Sequence, residues 1–357
     1  MRVLIVSMRY LGDCVVSAAL ARAVKEKMPD AEVWMLTFKR NLPILEGIDI
    51  LDGVIGVEAK PSYLKQLKEM ASVWKKFDWS IITHQSTRTF LYGAAAGRRQ
   101  SMFDVPAKSQ NGWQRLFISD FVPKLGGIHK LDAISVVLKP LLNEVPHPDP
   151  VAPNAPLSEE ILADLGDGPF VVFHLCSQYS DKNASNTGWR ALGEKAIEAG
   201  FRIVFTGGGS DYEAKQIAEV SDGWAAEHFR NYSGRLSFGQ TGALIRRAKA
   251  FVGVDTATVH VAAATGCPTI ALFGPTSVAH WGPAPQHGER KYRDDLALQR
   301  SGNVSVLQHP KYIDCRSCRS GHKQRCPLWP DPSLAACLQS MPVDFVWEEL
   351  KYRLKLA

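Results

Sequence analysis

Five stretches of the chain combine residue types that could do chemistry. Arg9-Tyr10-Leu11-Gly12-Asp13 stands between an apolar run and a helical pattern. A strand–glycine–helix turn aims backbone N–H groups at an anion. Asp13 there reads either as an N-cap or as a general base. Gly253-Val254-Asp255-Thr256-Ala257-Thr258-Val259-His260 repeats the arrangement later in the chain. Its helix start can receive a diphosphate on Thr256 and the Ala257 amide, with His260 on the same helix face as Thr256. Ser177 to Lys182 supplies a cation able to neutralise a diphosphate. Thr206-Gly207-Gly208-Gly209-Ser210-Asp211 with Glu213 offers close backbone approach and a carboxylate for ribose hydroxyls. Phe273-Gly274-Pro275-Thr276 marks a tight loop. Each stretch has a plain alternative: a capped helix, a surface lysine, a packed histidine or a turn.

These residues need elements to position them. In the first part of the chain, apolar runs at residues 2–8, 32–38 and 78–83 alternate with helical patterns at 14–28 and 62–76. Such β-α-β alternation predicts a parallel sheet flanked by helices. Residues 143–158 hold five prolines and read as a linker. Beyond it, strands are predicted at 169–175, 202–206, 250–254 and 268–273, and helices at 188–199, 211–220, 238–248 and 256–265. This gives an N-terminal α/β domain over 1–150 and a C-terminal one over 151–342. A final helix in 343–357 is expected to pack back across both. Ligands of open parallel sheets bind beyond the carboxyl ends of the strands, so the chemistry should sit on loops facing an interdomain cleft.

The chain has 357 residues, 42 basic and 36 acidic, a net charge of +6 at pH 7. No basic run of five or more occurs, which argues against nucleic acid as a partner. The apolar start is too short for a signal peptide core and no stretch reaches a membrane span, so a cytoplasmic location is expected. No G-x-G-x-x-G follows the first strand, which disfavours a nicotinamide oxidoreductase.

The order of these pieces resembles glycosyltransferase family 9, the ADP-heptose heptosyltransferases of lipopolysaccharide assembly in Gram-negative bacteria. LIVSMRYLGDCVVSAALARAVKEKMPDAEV is similar to the family's opening strand, Gly-Asp turn and helix. FVGVDTATVHVAAATGCPTIALFGPTSVAHWGP is similar to its nucleotide-sugar signature, and DKNASNTGW and VFTGGGSDYE match more loosely. The resemblance implies an α/β GT-B fold of two Rossmann-like domains. It implies ADP-heptose as donor and a lipid A–core oligosaccharide as acceptor, with peripheral contact at the inner membrane. It assigns catalysis to Asp13 as base and to Lys182 at the diphosphate. Donor binding falls to Gly12, Ser177, Glu213, Leu236, Asp255, Thr256, Ala257 and His260. The chain departs from the family in having Ala257 for glycine and Ala184 for tryptophan. No Asp-x-Asp motif occurs, so no cofactor is expected for catalysis.

Arg88, Arg98, Arg99 and Lys108 are candidate contacts for acceptor phosphates, with solvated charge as the alternative. Cys315, Cys318, Cys326 and Cys337 crowd a short segment. Four thiolates can hold a structural zinc or iron, with His322 as a substitute ligand, while free thiols or reversible disulfides are the other readings. A protein acceptor, a related nucleotide sugar and a non-catalytic binding module stand as competing functions.

Overall fold

The computed structural model describes residues 1–104, 112–312, 315 and 326–356. The chain forms two compact units, Met1–Val151 and Ala152–Ala357.

The first unit is a six-stranded parallel sheet. Its strands are β1 (Arg2–Val6), β2 (Glu32–Phe38), β3 (Gly53–Val57), β4 (Phe77–Ile82), β5 (Gly97–Phe103) and β6 (Asp120–Val122), in spatial order β3-β2-β1-β4-β5-β6. Val3, Leu4, Ile5 and Val6 have no exposed surface, as expected of a central parallel strand covered on both faces. Helix α1 (Leu11–Lys27) buries a small-residue surface of Ala18, Ala19, Ala21 and Ala23, which lets it lie close to its neighbours. Helix α2 (Tyr63–Val73) is capped by Ser62, whose Oγ accepts from Lys65 N.

The second unit has a seven-stranded sheet. It comprises β7 (Phe170–His174), β8 (Arg202–Phe205), β9 (Phe229–Asn231), β10 (Ala250–Val254), β11 (Thr269–Phe273), β12 (Leu298–Ser301) and β13 (Val304–Gln308). The order is β12-β13-β11-β10-β7-β8-β9, parallel except for the β12–β13 edge pair. Strands β7, β10 and β11 are buried along their whole length, and Phe173, Phe205 and Phe251 fill the space between sheet and helices.

The final helix, Val343–Leu354, packs against the helix Asn186–Glu198 and strands β10 and β11, with Val346 and Leu350 in the core of the second unit. Arg300 clasps its Glu349 at 2.6 Å.

Candidate functional site

Each sheet reverses its order of winding at one point, and polar residues collect there. In the first unit the chain leaves β1 toward β2 on one side, and β4 returns on the other. Such a switch point leaves a crevice outside the carboxyl ends of β1 and β4. The two strand ends are tied: Thr83 donates from both its backbone N and Oγ1 to Val6 O. Asn41 Nδ2 donates to Arg9 O at 3.0 Å and fixes the loop that enters α1.

Asp13 is the third residue of α1, and the N-cap is Tyr10, which makes no side-chain cap bond. The N-cap reading of Asp13 does not hold. Its carboxylate, 7 % exposed, instead meets Lys130 Nζ at 3.4 Å and Arg9 Nη1 at 4.0 Å. Lys130 opens the short helix α3 (Lys130–Ser135), capped by His129, whose Nδ1 accepts from Leu131 N. Burial pulls the Lys130 ammonium below the ordinary lysine range, and the Asp13 charge opposes that pull. His84, just after β4, completes the cluster. Burial, then the charges of Arg9 and Lys130, push its imidazole down to about 4, so it is neutral at pH 7. Neighbouring Cys14 is an unreactive thiol, raised to about 11 chiefly by burial.

The sequence pointed to Asp13 and Gly12 but not to Lys130 or His84. Nothing local marks those two, since their role comes from strands and helices distant in the chain. Two of the four basic residues expected to meet acceptor phosphates are engaged elsewhere. Arg88 donates to Ala59 O and lies over Phe38, and Arg99 pairs with Asp120 over the Trp79 ring. Arg98 is exposed, and Lys108 lies outside the described residues.

In the second unit the switch point lies between β7 and β10. Lys182 follows β7 and Asp255 follows β10. They form a buried pair, Nζ to Oδ2 at 2.6 Å, with side chains 11 % and 7 % exposed. Asp255 thus does not cap the next helix, α4 (Ala257–Thr265). Thr256 does, without a side-chain cap bond, and its Oγ1 is sealed from solvent with no partner. An N-cap hydroxyl ordinarily accepts from the second or third helical amide; this one does not. Thr276, after β11, has a second buried Oγ1 with no partner. His260 is buried on α4.

The remaining expected donor residues play structural parts that place them nearby. Ser177 N donates to Asn183 Oδ1 at 2.7 Å and Tyr179 N to Ser177 Oγ at 3.2 Å, which folds the loop carrying Lys182. Glu213 accepts from Gly208 N at 3.0 Å and from Ser210 N and Oγ at 3.1 and 3.0 Å, forming a capping box at the start of the helix Asp211–Ser221. Leu236 packs partly buried against the core cluster that includes Tyr232. His174, at the end of β7, bonds Thr206 Oγ1 through Nδ1 at 3.1 Å. Burial holds it neutral, at about 4.

The thiol cluster is described only in part, because Cys318 and His322 lie outside the described residues. Cys315, Cys326 and Cys337 line one cavity with His309. Both His309 ring nitrogens are engaged, with Ser340 O and with Lys311 N, and Cys326 Sγ accepts from Ala336 N. Among the described residues no three histidines, cysteines or carboxylates are placed to hold a metal ion.

Residues 144–292 match glycosyltransferase family 9 (heptosyltransferase). Lipopolysaccharide heptosyltransferase 3 of Escherichia coli is 25 % identical over 291 residues, 77 % of this chain and 84 % of that protein. Lipooligosaccharide heptosyltransferase 2 of Haemophilus influenzae is 23 % identical over 345 residues, covering 88 % and 95 %. Among solved structures, E. coli ADP-heptose lps heptosyltransferase II aligns with a TM-score of 0.72 at 19 % identity, over 99 % of both chains. E. coli heptosyltransferase WaaC with ADP aligns at 0.71 and 17 %, over 99 % and 100 %. The fold is accordingly GT-B, two Rossmann-like α/β units.

Proposed function

We propose that this chain, a glycosyltransferase carrying a family 9 domain over residues 144–292, moves heptose from ADP-heptose to a lipopolysaccharide inner-core acceptor. The observation that carries the donor half is the buried Lys182–Asp255 pair beside the unpartnered Thr256 hydroxyl at a helix start. A lysine ammonium, an unpartnered hydroxyl and a positive helix end are the groups that would receive diphosphate oxygens. The names of the relatives above, and ADP in the WaaC structure, support the sugar and the nucleotide.

Transfer would proceed by inversion in one displacement. The acceptor oxygen forms a bond to the anomeric carbon as the bond from that carbon to the diphosphate oxygen breaks. ADP departs with the electron pair, and the hydroxyl proton passes to Asp13. Negative charge grows on the leaving diphosphate, where Lys182 and the amides at the start of α4 stabilise it. Lys182 pairs with Asp255 at 2.6 Å. Diphosphate binding would draw the ammonium from that carboxylate or share it. Asp13 receives the proton late, once bonding has made the hydroxyl acidic, so its first requirement is position. Catalysis by this route needs no cofactor.

The test is to mix the protein with ADP-heptose and a series of heptose-deficient lipopolysaccharides truncated at successive core sugars, and to weigh the products. A gain of one heptose on one truncation is the expected result and identifies the acceptor. Donor binding without transfer to any of them would overturn the lipopolysaccharide acceptor in favour of another, such as protein. Failure to bind ADP-heptose would overturn the donor.

A further inference from the structure

Helix α2 has two apolar arcs, and the first unit covers only one of them. Val73 is buried, and Met70 packs half-buried on the core around Phe77 and Tyr92. The same side carries Glu69, which accepts from Glu58 N and from the Tyr92 hydroxyl. At 100° per residue the rest of the apolar set, Tyr63, Leu67, Ala71 and Leu64, falls on an adjoining arc, and Trp74 is the C-cap that follows it. That arc is open: Tyr63 is 75 % exposed, Leu64 70 %, Trp74 62 % and Leu67 44 %. Single exposed apolar residues need no explanation, but a contiguous stripe on one helix face marks an interaction surface.

Charge says what kind of surface it meets. Residues 59–76 contain five lysines and one acid, Glu69, and Glu69 faces inward. Lys60, Lys65, Lys68 and Lys76 are exposed around the stripe. Lys65 lies 3.8 Å from Glu58, which also holds Lys39. An apolar face with an aromatic residue at each end and lysines along its flank has the composition of helices that lie in a bilayer interface. Among the described residues no helix is long and apolar enough to cross a membrane, so the contact is one of docking.

We propose that the exposed face of α2 docks the protein on an anionic lipid bilayer, with Tyr63, Leu64, Leu67 and Trp74 entering the interface and the lysines meeting lipid phosphates. The relevance of docking to catalysis rests on the proposed acceptor, which is itself anchored in lipid; the surface does not. Docking would hold the first unit where such an acceptor resides and raise its local concentration.

Co-sedimentation with vesicles of phosphatidylglycerol and phosphatidylethanolamine tests the surface directly. The wild type should bind these vesicles, bind phosphatidylcholine vesicles far less, and release as salt is raised. The double variant Leu64→Gln/Leu67→Gln alters two exposed side chains and should keep its fold. It should lose about tenfold or more in vesicle affinity. Lys65→Glu/Lys68→Glu should lose the preference for anionic lipid. Equal binding of wild type and both variants would overturn the proposal. So would a wild type that ignores vesicles but forms a dimer that Leu64→Gln/Leu67→Gln abolishes, because the stripe would then be a self-association face. In the transfer assay, the leucine variant should match wild type on a deacylated, water-soluble acceptor and fall behind only when the acceptor is embedded in vesicles. Vesicle binding that follows the stripe while no heptose transfer occurs on any acceptor would leave docking standing and remove the proposed reaction.

Discussion

Two buried ion pairs divide the chemistry at the level of single residues. Asp13 has two cations within 4.0 Å, while Lys182 is matched to Asp255. Asp13→Asn keeps the shape and removes the base. It should lower kcat by about 10²–10⁴-fold while calorimetry finds ADP affinity close to wild type. Retained turnover would take Asp13 out of the base role. Lys130 makes a finer case. If it holds the Asp13 carboxylate in position, Lys130→Met should reduce kcat by about tenfold or more with the donor KM unchanged, since a misplacement of about 1 Å can cost more than that. Lys130→Arg should recover most of the loss. A Met variant altered only in its melting temperature would make Lys130 a structural ion.

The elements turn these residues toward ligand through caps and glycines. The loop after β8 depends on two glycines packed back to back. Gly209 and Gly234 both have positive φ, +78° and +72°, and a Cβ on Gly209 would stand 2.5 Å from Gly234 Cα. No side chain can move aside there, because the obstacle is backbone. Gly209→Ala should destabilise the second unit by about 2 kcal/mol or more and loosen the Glu213 capping box with it. Denaturant unfolding monitored with and without ADP would show both effects, as a lower midpoint and a smaller stabilisation by the nucleotide. A midpoint equal to wild type would mean that the loop relaxes without cost. Ser210 and Ser237, each in a capping box, show how strongly local sequence fixes helix starts in this unit.

Across the molecule, each unit holds a histidine at its switch point whose pKa is pushed down chiefly by burial. Both His84 and His174 are held near 4, against an ordinary 6.5. The unfolded chain therefore binds more protons than the folded one between about pH 6.5 and 4. The stability these groups contribute is fully present above about 6.5 and is lost as pH falls toward 4. For the fully buried His174 the loss should approach ~3 kcal/mol at the acid end. His84 is less deeply buried and should contribute less. Stability measured from pH 7 to 4 should fall along this window, and His174→Gln should flatten its slope. An unchanged slope would mean that His174 is accessible to protons in the folded state.

Much of this was legible in the sequence, and the reason is local. Strands β2 and β10 occupy the predicted residues, because β-branched and aromatic runs bounded by turns have few other ways to be buried. Helix starts at Ser210 and Ser237 follow from capping chemistry within four residues. The flanking strands β3, β5, β6, β9 and β12 carried weaker signals, since a partly exposed strand needs no continuous apolar run. The order of the motifs pointed to Asp13, Lys182 and Asp255 as members of one kind of site. Their partners were decided only by tertiary structure. Lys130 stands 117 positions from Asp13, and Asp255 73 from Lys182; sequence spacing carries no information about contacts that parallel crossovers create. The open stripe on α2 belongs to the same class. Periodicity shows that the helix has apolar residues, but only packing shows which arc the sheet leaves uncovered.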